Sequence, residues 1–358
     1  MSGTSADGVD ASIIQSDGDV EYKLILDKYF KYSHNIYENI HNLKDEIYDS
    51  KDLKNLSNKI QPLEKEITIF HADVVNKIVK EFKSNIDFVG FHGQTIFHNA
   101  KEKISKQLGD GELLSKLIKK TVVYDFRQND LKNGGHGAPL TPIFHKLLKV
   151  KFKIKDVTFV NIGGIVNVTT ILDDDKISGT DIGPGMCLID KWVRENSKEN
   201  YDENGIVAKS GKVNKIALNQ LLENFRTKEK ISRTGVIQSF DTKYFDFSFV
   251  RDLSFEDGAA TLTEFTAQII ISALKVTERN KEKIILCGGG RKNNFLFEKL
   301  KKEISRIKLI DEYGIDGDFV ESQAFAYLAI RSHLNLPISF PTTTGVDKPC
   351  SGGIINRI

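Results

Sequence analysis

The stretch that decides the fold is VTFVNIGGIVNVTTI, residues 157–171. Residues 157–160, Val-Thr-Phe-Val, lead into Asn161-Ile162-Gly163-Gly164, and a second stretch rich in β-branched residues follows over 166–171. Runs rich in β-branched residues and bounded by turn residues are typical of strands. We therefore predict two strands joined by a tight glycine turn.

A similar pattern occurs at the N-terminus. Residues 9–14 and 21–27 place apolar residues on both sides of the turn Ser-Asp-Gly at 16–18, which predicts a second hairpin. Two such units predict an α/β protein of two similar lobes. We expect lobe I to comprise residues 1–140 with a returning segment at about 332–358, and lobe II to comprise residues 141–331.

Three further predicted strands end in residues suited to a binding site. Residues 86–91 lead into His92-Gly93-Gln94-Thr95, residues 121–124 deliver Arg127, and residues 284–286 end at three glycines. Isolated histidines are usually structural, whereas Gln94 and Thr95 suit sugar hydroxyls.

Composition excludes several classes of function. The 358 residues are 40% hydrophobic, and 51 Lys and Arg against 49 Asp and Glu leave a formal charge of +2. This balance favours neither nucleic acid nor an anionic membrane as a partner. The three cysteines follow no metal-binding spacing, and neither a signal peptide nor a membrane-spanning run is evident. We expect a reduced, cytoplasmic setting.

Three glycine turns could hold phosphate groups, because glycine brings backbone N–H donors close to a ligand. They are Gly3-Thr4-Ser5-Ala6-Asp7-Gly8, the pair Gly163-Gly164, and Gly288-Gly289-Gly290. Asp7 could also reach a magnesium ion, directly or through water. The P-loop, dinucleotide-binding and protein-kinase signatures are absent from the sequence.

Asp181 is the candidate catalytic carboxylate. It lies in Gly-Thr-Asp-Ile-Gly-Pro-Gly, residues 179–185, for which we predict a turn before an apolar helix. As a general base it needs hydrogen-bond reach to a water or hydroxyl, and the alternative is a helix N-cap.

Two other charged residues are candidates for substrate contact. Arg127 could direct its guanidinium at a carboxylate or phosphate, or instead pair with Asp130. Glu321 opens a predicted helix, where it could simply stabilise the helix N-terminus.

Taken together, seven blocks resemble the anhydro-N-acetylmuramic acid kinase family, in family order and over nearly the whole chain. They are MSGTSADGVD (1–10), FHGQTIFH (91–98), DFRQNDLKNGGHGAPLTP (125–142), NIGGIVNVT (161–169), GTDIGPGMCLID (179–190), CGGGRKNNFL (287–296) and ESQAFAYLAI (321–330).

The resemblance implies the fold shared by acetate and sugar kinases, Hsp70 and actin: a two-lobed actin-like ATPase fold with mixed sheets flanked by helices, closing on ATP and Mg²⁺. Members add water across the 1,6-anhydro bond of anhydro-N-acetylmuramic acid and phosphorylate the freed O6 during cell-wall recycling. The resemblance also implies a homodimer.

The resemblance assigns roles to particular residues. Asp181 matches the general base, while Arg127, Thr95 and Glu321 match residues near the sugar, where Arg127 could pair with the lactyl carboxylate. The phosphate loop corresponds to Gly3, Thr4, Ser5, Ala6, Asp7, Gly8, Val9 and Asp10.

The chain departs from the family pattern at three places. Ile182 and Met186 replace polar residues beside the base, and His136 replaces a common glutamine. Relatives also place a strand before Met-Ser-Gly-Thr, so we expect that the start at Met1 was assigned downstream of the true one.

Two alternative functions remain open from the sequence. One is a levoglucosan kinase-like enzyme, which acts on an anhydrosugar without the lactyl and acetamido groups, and retention of Arg127 favours the muramic substrate over it. The other is a non-catalytic sensor of ATP or sugar, and the presence of Asp181 and Asp7 argues against it.

Overall fold

The structure, a computed structural model, describes residues 1–174, 176–232, 240, 242–277 and 283–358. Contacts divide it into unit 1, Met1–Lys153 with Phe319–Ile358, and unit 2, Ile154–Asp318. The units are defined by packing, so the lobe boundaries at residues 140 and 331 stay a prediction.

The elements follow in chain order. The strands are β1 (Gly8–Ser16), β2 (Tyr22–Lys31), β3 (Phe88–Phe91), β4 (Gln94–Asn99), β5 (Ile104–Leu108), β6 (Thr121–Tyr124), β7 (Val157–Ile162), β8 (Ile165–Ile171), β9 (Ile177–Pro184), β10 (Lys283–Cys287), β11 (Ile307–Leu309) and β12 (Ile354–Asn356). The helices are α1 (His34–Glu46), α2 (Asp52–Asn55), α3 (Ser57–Phe82), α4 (Gly111–Ile118), α5 (Gln128–Lys132), α6 (Pro142–Lys151), α7 (Cys187–Asn196), α8 (Ile206–Ser210), α9 (Lys215–Ser232), α10 (Phe255–Thr277), α11 (Asn294–Glu303) and α12 (Val320–His333).

Unit 2 contains a mixed sheet of order β11-β10-β7-β8-β9. The strands β7, β8 and β9 are antiparallel neighbours, whereas β10 pairs parallel to both β7 and β11. Val160 and Ile162 of β7 pack with Ile270 of α10 and Leu296 of α11 in one apolar cluster. Since side chains alternate between the two faces of a strand, Asn161 lies on the opposite face.

Unit 1 contains the β1–β2 hairpin and a separate sheet of order β12-β6-β3, in which β3 is parallel and β12 antiparallel to β6. Helix α12 packs on both β1 and β3. The hairpin shares an apolar cluster with α1 and α3 that includes Val9, Ile13, Ile40 and Ile67. The predicted hairpins are confirmed, because their segments form β1–β2 and β7–β8.

One local prediction is wrong. Residues 179–185, expected as a turn, lie mostly in strand β9, because Thr180, Gly179 and Ser178 pair with β8. The ladder to β8 supplies hydrogen bonds that glycine content alone does not reveal, so tertiary pairing overrides local propensity. In the described part of the chain, every helix is too short or too polar to span a membrane.

Three histidines whose pKa is lowered by desolvation predict a loss of stability in acid. Burial lowers the pKa of His71 and His145 to about 3 and that of His98 to about 4. An unfolded histidine has a pKa of about 6.5, so the unfolded chain binds more protons below that pH. We expect the urea midpoint to be constant above about pH 6.5 and to fall steadily from there toward about pH 4.

Variants separate this effect from general acid denaturation. His145→Leu should weaken the pH dependence, because it removes one buried titrating ring. His34 is the matched control, since its side chain is 84% exposed, and His34→Gln should leave the dependence unchanged. A midpoint that does not change between about pH 7 and pH 5 would contradict the interpretation.

Candidate functional site

The first glycine loop is a turn that leaves two N–H groups available. The N–H of Ala6 donates to the carbonyl oxygen of Gly3 at 3.1 Å, and Ala6 has a φ of +56°. The carbonyl oxygens of Thr4 and Ser5 face side chains of α1. Because C=O and N–H point in opposite directions across a trans peptide, the N–H of Ser5 points away from that helix. Among the described residues neither the N–H of Thr4 nor that of Ser5 has a partner, which suits an anion.

Asp7 is held at the end of this turn. Its Oδ1 accepts a hydrogen bond from the hydroxyl of Ser5 at 2.6 Å, and its Oδ2 accepts one from the hydroxyl of Tyr29 at 3.1 Å. Magnesium commonly uses one or two carboxylates together with phosphate oxygens and water. A single oriented carboxylate beside an N–H turn therefore fits a Mg²⁺–phosphate group.

The remainder of the expected phosphate loop belongs to strand β1. Gly8, Val9 and Asp10 pair with β2, and the Val9 side chain is buried in the core. A Cβ at Gly8 would lie 2.5 Å from the carbonyl oxygen of Phe30, so this glycine permits close strand packing. The part of the loop suited to phosphate is therefore residues 3–7.

Arg127 is oriented by a neutral histidine. Its Nη2 lies 3.0 Å from Nε2 of His92, and its Nη1 donates to the carbonyl oxygen of Gly137 at 2.8 Å. Burial, followed by the Arg127 charge, holds the pKa of His92 well below its ordinary value, so the ring is neutral and its Nε2 can accept. The guanidinium also lies 5.7 Å from the ring centre of Phe325.

The alternative partner, Asp130, has a different structural role. Its carboxylate accepts hydrogen bonds from the N–H of Gly137 and the hydroxyl of Thr344, and it is 1% exposed. Asp130 therefore stabilises the loop that also presents the Gly137 carbonyl to Arg127. His136 lies in the same loop, and its backbone N–H donates a hydrogen bond to the carbonyl oxygen of Thr344.

The two polar residues after β3 differ in availability. Gln94 is fully buried, and its Oε1 accepts a hydrogen bond from the hydroxyl of Ser2 at 2.6 Å. Thr95 is half-buried, and its hydroxyl accepts a hydrogen bond from Nε2 of Gln107 at 3.2 Å. Of the pair, Thr95 is the better candidate for a ligand contact, because Gln94 is committed to the fold.

Glu321 lies in the first turn of α12, as expected. It is half-buried and lies four residues before Phe325 on that helix. Residues four apart share a helix face, so Glu321 is on the side that carries the Phe325 ring under Arg127. Unit 1 thus brings Glu321 and Arg127 to the same region.

Asp181 lies on β9 at a β-bulge. Asn167 of β8 pairs with Asp181 while Val166 pairs with Gly183, so Ile182 is the extra residue. Bulges re-aim neighbouring side chains and occur often beside active sites. The carboxylate is 8% exposed and accepts a hydrogen bond from the N–H of Phe240 at 3.0 Å.

The N-cap alternative for Asp181 is wrong. Helix α7 begins at Cys187, and its N-cap residue is Met186. Ile182 and Met186 both pack against the apolar cluster beneath the sheet. Both apolar side chains are therefore part of the core of unit 2.

The Gly163-Gly164 turn supports helix α7. Its two carbonyl oxygens accept hydrogen bonds from the N–H groups of Gly185, Met186 and Cys187, at 2.9–3.2 Å. The turn therefore stabilises the backbone that follows Asp181, and a role in binding phosphate stays a prediction.

The three glycines of the third turn differ in the space around their Cα atoms. A Cβ at Gly288 would lie 2.5 Å from Oδ1 of Asn161, and one at Gly290 would lie 2.3 Å from Ile162. A Cβ at Gly289 would meet nothing within 4 Å. Asn293 is the N-cap of α11, and its side chain accepts a hydrogen bond from the N–H of Leu296. Gly289 is therefore the position of this turn most open to a ligand.

Sequence reasoning did not select Arg291, which follows this turn. Its side chain is 3% exposed and forms ion pairs with Asp311, Asp316 and Asp318 at 2.5–2.9 Å. Its Nη1 also donates to the carbonyl of Gly288 at 3.1 Å. Asp316 and Asp318 flank Gly317 in a polar segment whose composition is typical of a solvated loop. The spacing of its aspartates is the only sequence signal that could have indicated the cluster.

The candidate residues fall into two groups. Unit 1 carries residues 3–10, Thr95, Arg127 and Glu321, whereas unit 2 carries Asp181 and the other two glycine turns. Both groups lie on units in which mixed sheets are flanked by helices, so the class that the fold defines is an α/β protein of two such units.

Comparison with known proteins identifies the family. A family model described as anhydro-N-acetylmuramic acid kinase matches residues 1–357. The enzyme of that name from Pelagibacter ubique (strain HTCC1062) is 53% identical over 365 residues, covering 99% of this chain and 96% of the relative. The one from Rhizobium etli is 37% identical over 378 residues, with the same coverage. The chain therefore belongs to the anhydro-N-acetylmuramic acid kinase family.

Solved structures give a more distant likeness. Component A of the (R)-2-hydroxyglutaryl-CoA dehydratase of Acidaminococcus fermentans is 15% identical, with a TM-score of 0.36, over 62% of this chain and 82% of that one. The family assignment depends on the sequence matches and not on this likeness.

Proposed function

We propose that this protein uses ATP to convert 1,6-anhydro-N-acetylmuramic acid and water into N-acetylmuramic acid 6-phosphate and ADP. The observation that carries the proposal is the match of residues 1–357 to the family model. The reaction belongs to the recycling of peptidoglycan, and we place it in the cytoplasm.

Asp181 is the proposed general base. It takes a proton from water as the water oxygen bonds to the anomeric carbon and the bond from that carbon to O6 breaks. O6 then takes the γ-phosphoryl group, and ADP leaves. Burial of the carboxylate and its bond from the Phe240 N–H support this role, because both restrict its orientation.

Residues of unit 1 are proposed to hold the substrates. The N–H groups of Thr4 and Ser5 bind phosphate oxygens, and Asp7 holds Mg²⁺. The ion, when bound, neutralises charge on the phosphates. Arg127, kept in place by His92, pairs with the lactyl carboxylate of the sugar.

The decisive experiment is an ADP-release assay with two sugars. We expect turnover with anhydro-N-acetylmuramic acid to exceed that with levoglucosan by at least about 100-fold. Levoglucosan has no carboxylate, so it would leave the guanidinium of Arg127 without its partner in the site. The product should carry one phosphate per ADP released.

Each alternative function has its own result in that assay. Faster turnover of levoglucosan would favour the other anhydrosugar kinase. Binding of the muramic sugar by calorimetry, with turnover of neither sugar, would favour a sensor. A homodimer is a separate proposal, and light scattering at the mass of a single chain would exclude it.

A further inference from the structure

A row of polar side chains crosses the sheet of unit 2. Asn161 of β7 pairs with Asn167 of β8, and Asn167 pairs with Asp181 of β9. Side chains at directly paired positions project from the same face of an antiparallel sheet, with Cβ atoms about 4.5–5.5 Å apart. Asn167 and Asp181 are therefore cross-strand neighbours on this face of the sheet.

This row lies on the face of the sheet opposite α10 and α11. Val166 and Val168, on either side of Asn167, are in the apolar cluster formed with those helices. Alternation along β8 therefore directs Asn167 away from that cluster. An asparagine beside a carboxylate on this face is not required by the packing of α10 and α11.

The carboxamide of Asn167 has an unused acceptor. Its Oδ1 is buried and has no hydrogen-bond partner among the residues that the structure describes. A buried polar atom left without a partner costs about 1–3 kcal/mol, so such atoms in folded proteins usually have a ligand or water to bind. A water that donates one hydrogen to Asp181 and the other to Asn167 satisfies both groups.

We propose that Asn167 is a second catalytic residue, which holds the attacking water together with Asp181. The inference rests on the proposed function. One water hydrogen goes to the Asp181 carboxylate as the oxygen bonds to the anomeric carbon, and the other stays on the new hydroxyl and donates to Oδ1 of Asn167. The bond between that carbon and O6 breaks, and O6 accepts the γ-phosphoryl group as ADP departs.

The test is Asn167→Leu, which keeps the branching at Cγ and removes the acceptor. We expect kcat to fall by about 100-fold, because the water loses one of its two orienting partners. The Kd values of ATP and of the sugar, measured by calorimetry, should stay within about twofold of the wild type. Thr170→Val is the matched control, because Thr170 lies on the other face of β8 and bonds to Thr158, and its kcat should be unchanged.

The outcomes separate the inference from the proposed function. If the wild type fails to turn over the muramic sugar, the proposed function is wrong. If the wild type is active and Asn167→Leu keeps its kcat, or weakens only sugar binding, or lowers only the melting temperature, the role of Asn167 is wrong. Asn167→Ala, which is smaller and cannot overpack the site, replaces the leucine variant if that variant does not fold, with the same expected loss.

Discussion

Replacing Asp181 by asparagine is expected to lower kcat by at least about 1,000-fold. General-base catalysis contributes about 10²–10⁴-fold, and the neutral amide cannot take the proton of the attacking water. Asparagine keeps an oxygen that can accept the hydrogen bond from the N–H of Phe240, so the fold around β9 should persist. The measurement is steady-state ADP release, with ATP affinity determined by calorimetry and expected to be nearly unchanged.

A second buried aspartate of the same unit provides the control. Asp202 is 3% exposed, and its carboxylate accepts hydrogen bonds from the N–H groups of Val207 and Ala208. Asp202→Asn should keep most of the activity, because that carboxylate has a structural role. An Asp181→Asn enzyme with a rate near that of the wild type would remove Asp181 as the base.

Replacing Arg291 by methionine is expected to destabilise unit 2 by about 3 kcal/mol. Breaking a buried ion pair costs about 3–5 kcal/mol. We expect the lower end, because Asp311 and Asp316 are 40% and 49% exposed and water can solvate the carboxylates that remain. The measurement is the free energy of unfolding in urea.

Arg291 also affects how the free energy of unfolding changes with pH in acid. Hydrogen bonding to Arg291 is the largest cause of the lowered pKa of Asp311. That contribution is present above the unfolded pKa of about 3.9 and is lost as the pH falls through the folded value. Arg291→Met should therefore reduce the loss of stability below about pH 4.

The neighbouring cation is the matched control for Arg291. Lys292 forms an ion pair with Asp318, but its side chain is 57% exposed. Lys292→Met should cost less than about 1 kcal/mol, because exposed pairs contribute little. Equal losses in the two variants would show that the buried arginine has no special role.

Local sequence signals predicted several elements and failed at others. Strand β6 was predicted with its observed bounds, because its apolar residues form a short run between a helix and Asp125. Strand β9 was missed, since its glycines and Pro184 are typical of turns and only its pairing with β8 makes it extended. The Arg291 cluster was missed for a similar reason, because its carboxylates come from a separate segment 20–27 residues away.

The sequence by itself determined the α/β class, both hairpins, the family and the candidate base Asp181, because these depend on local periodicity and on motifs that are contiguous in the chain. Only the tertiary structure decided which glycine is open, that His92 orients Arg127, and that Asn167 stands beside Asp181. Those properties depend on strand register and on burial. Neither is specified by a single segment, since each results from the way separate segments pack together.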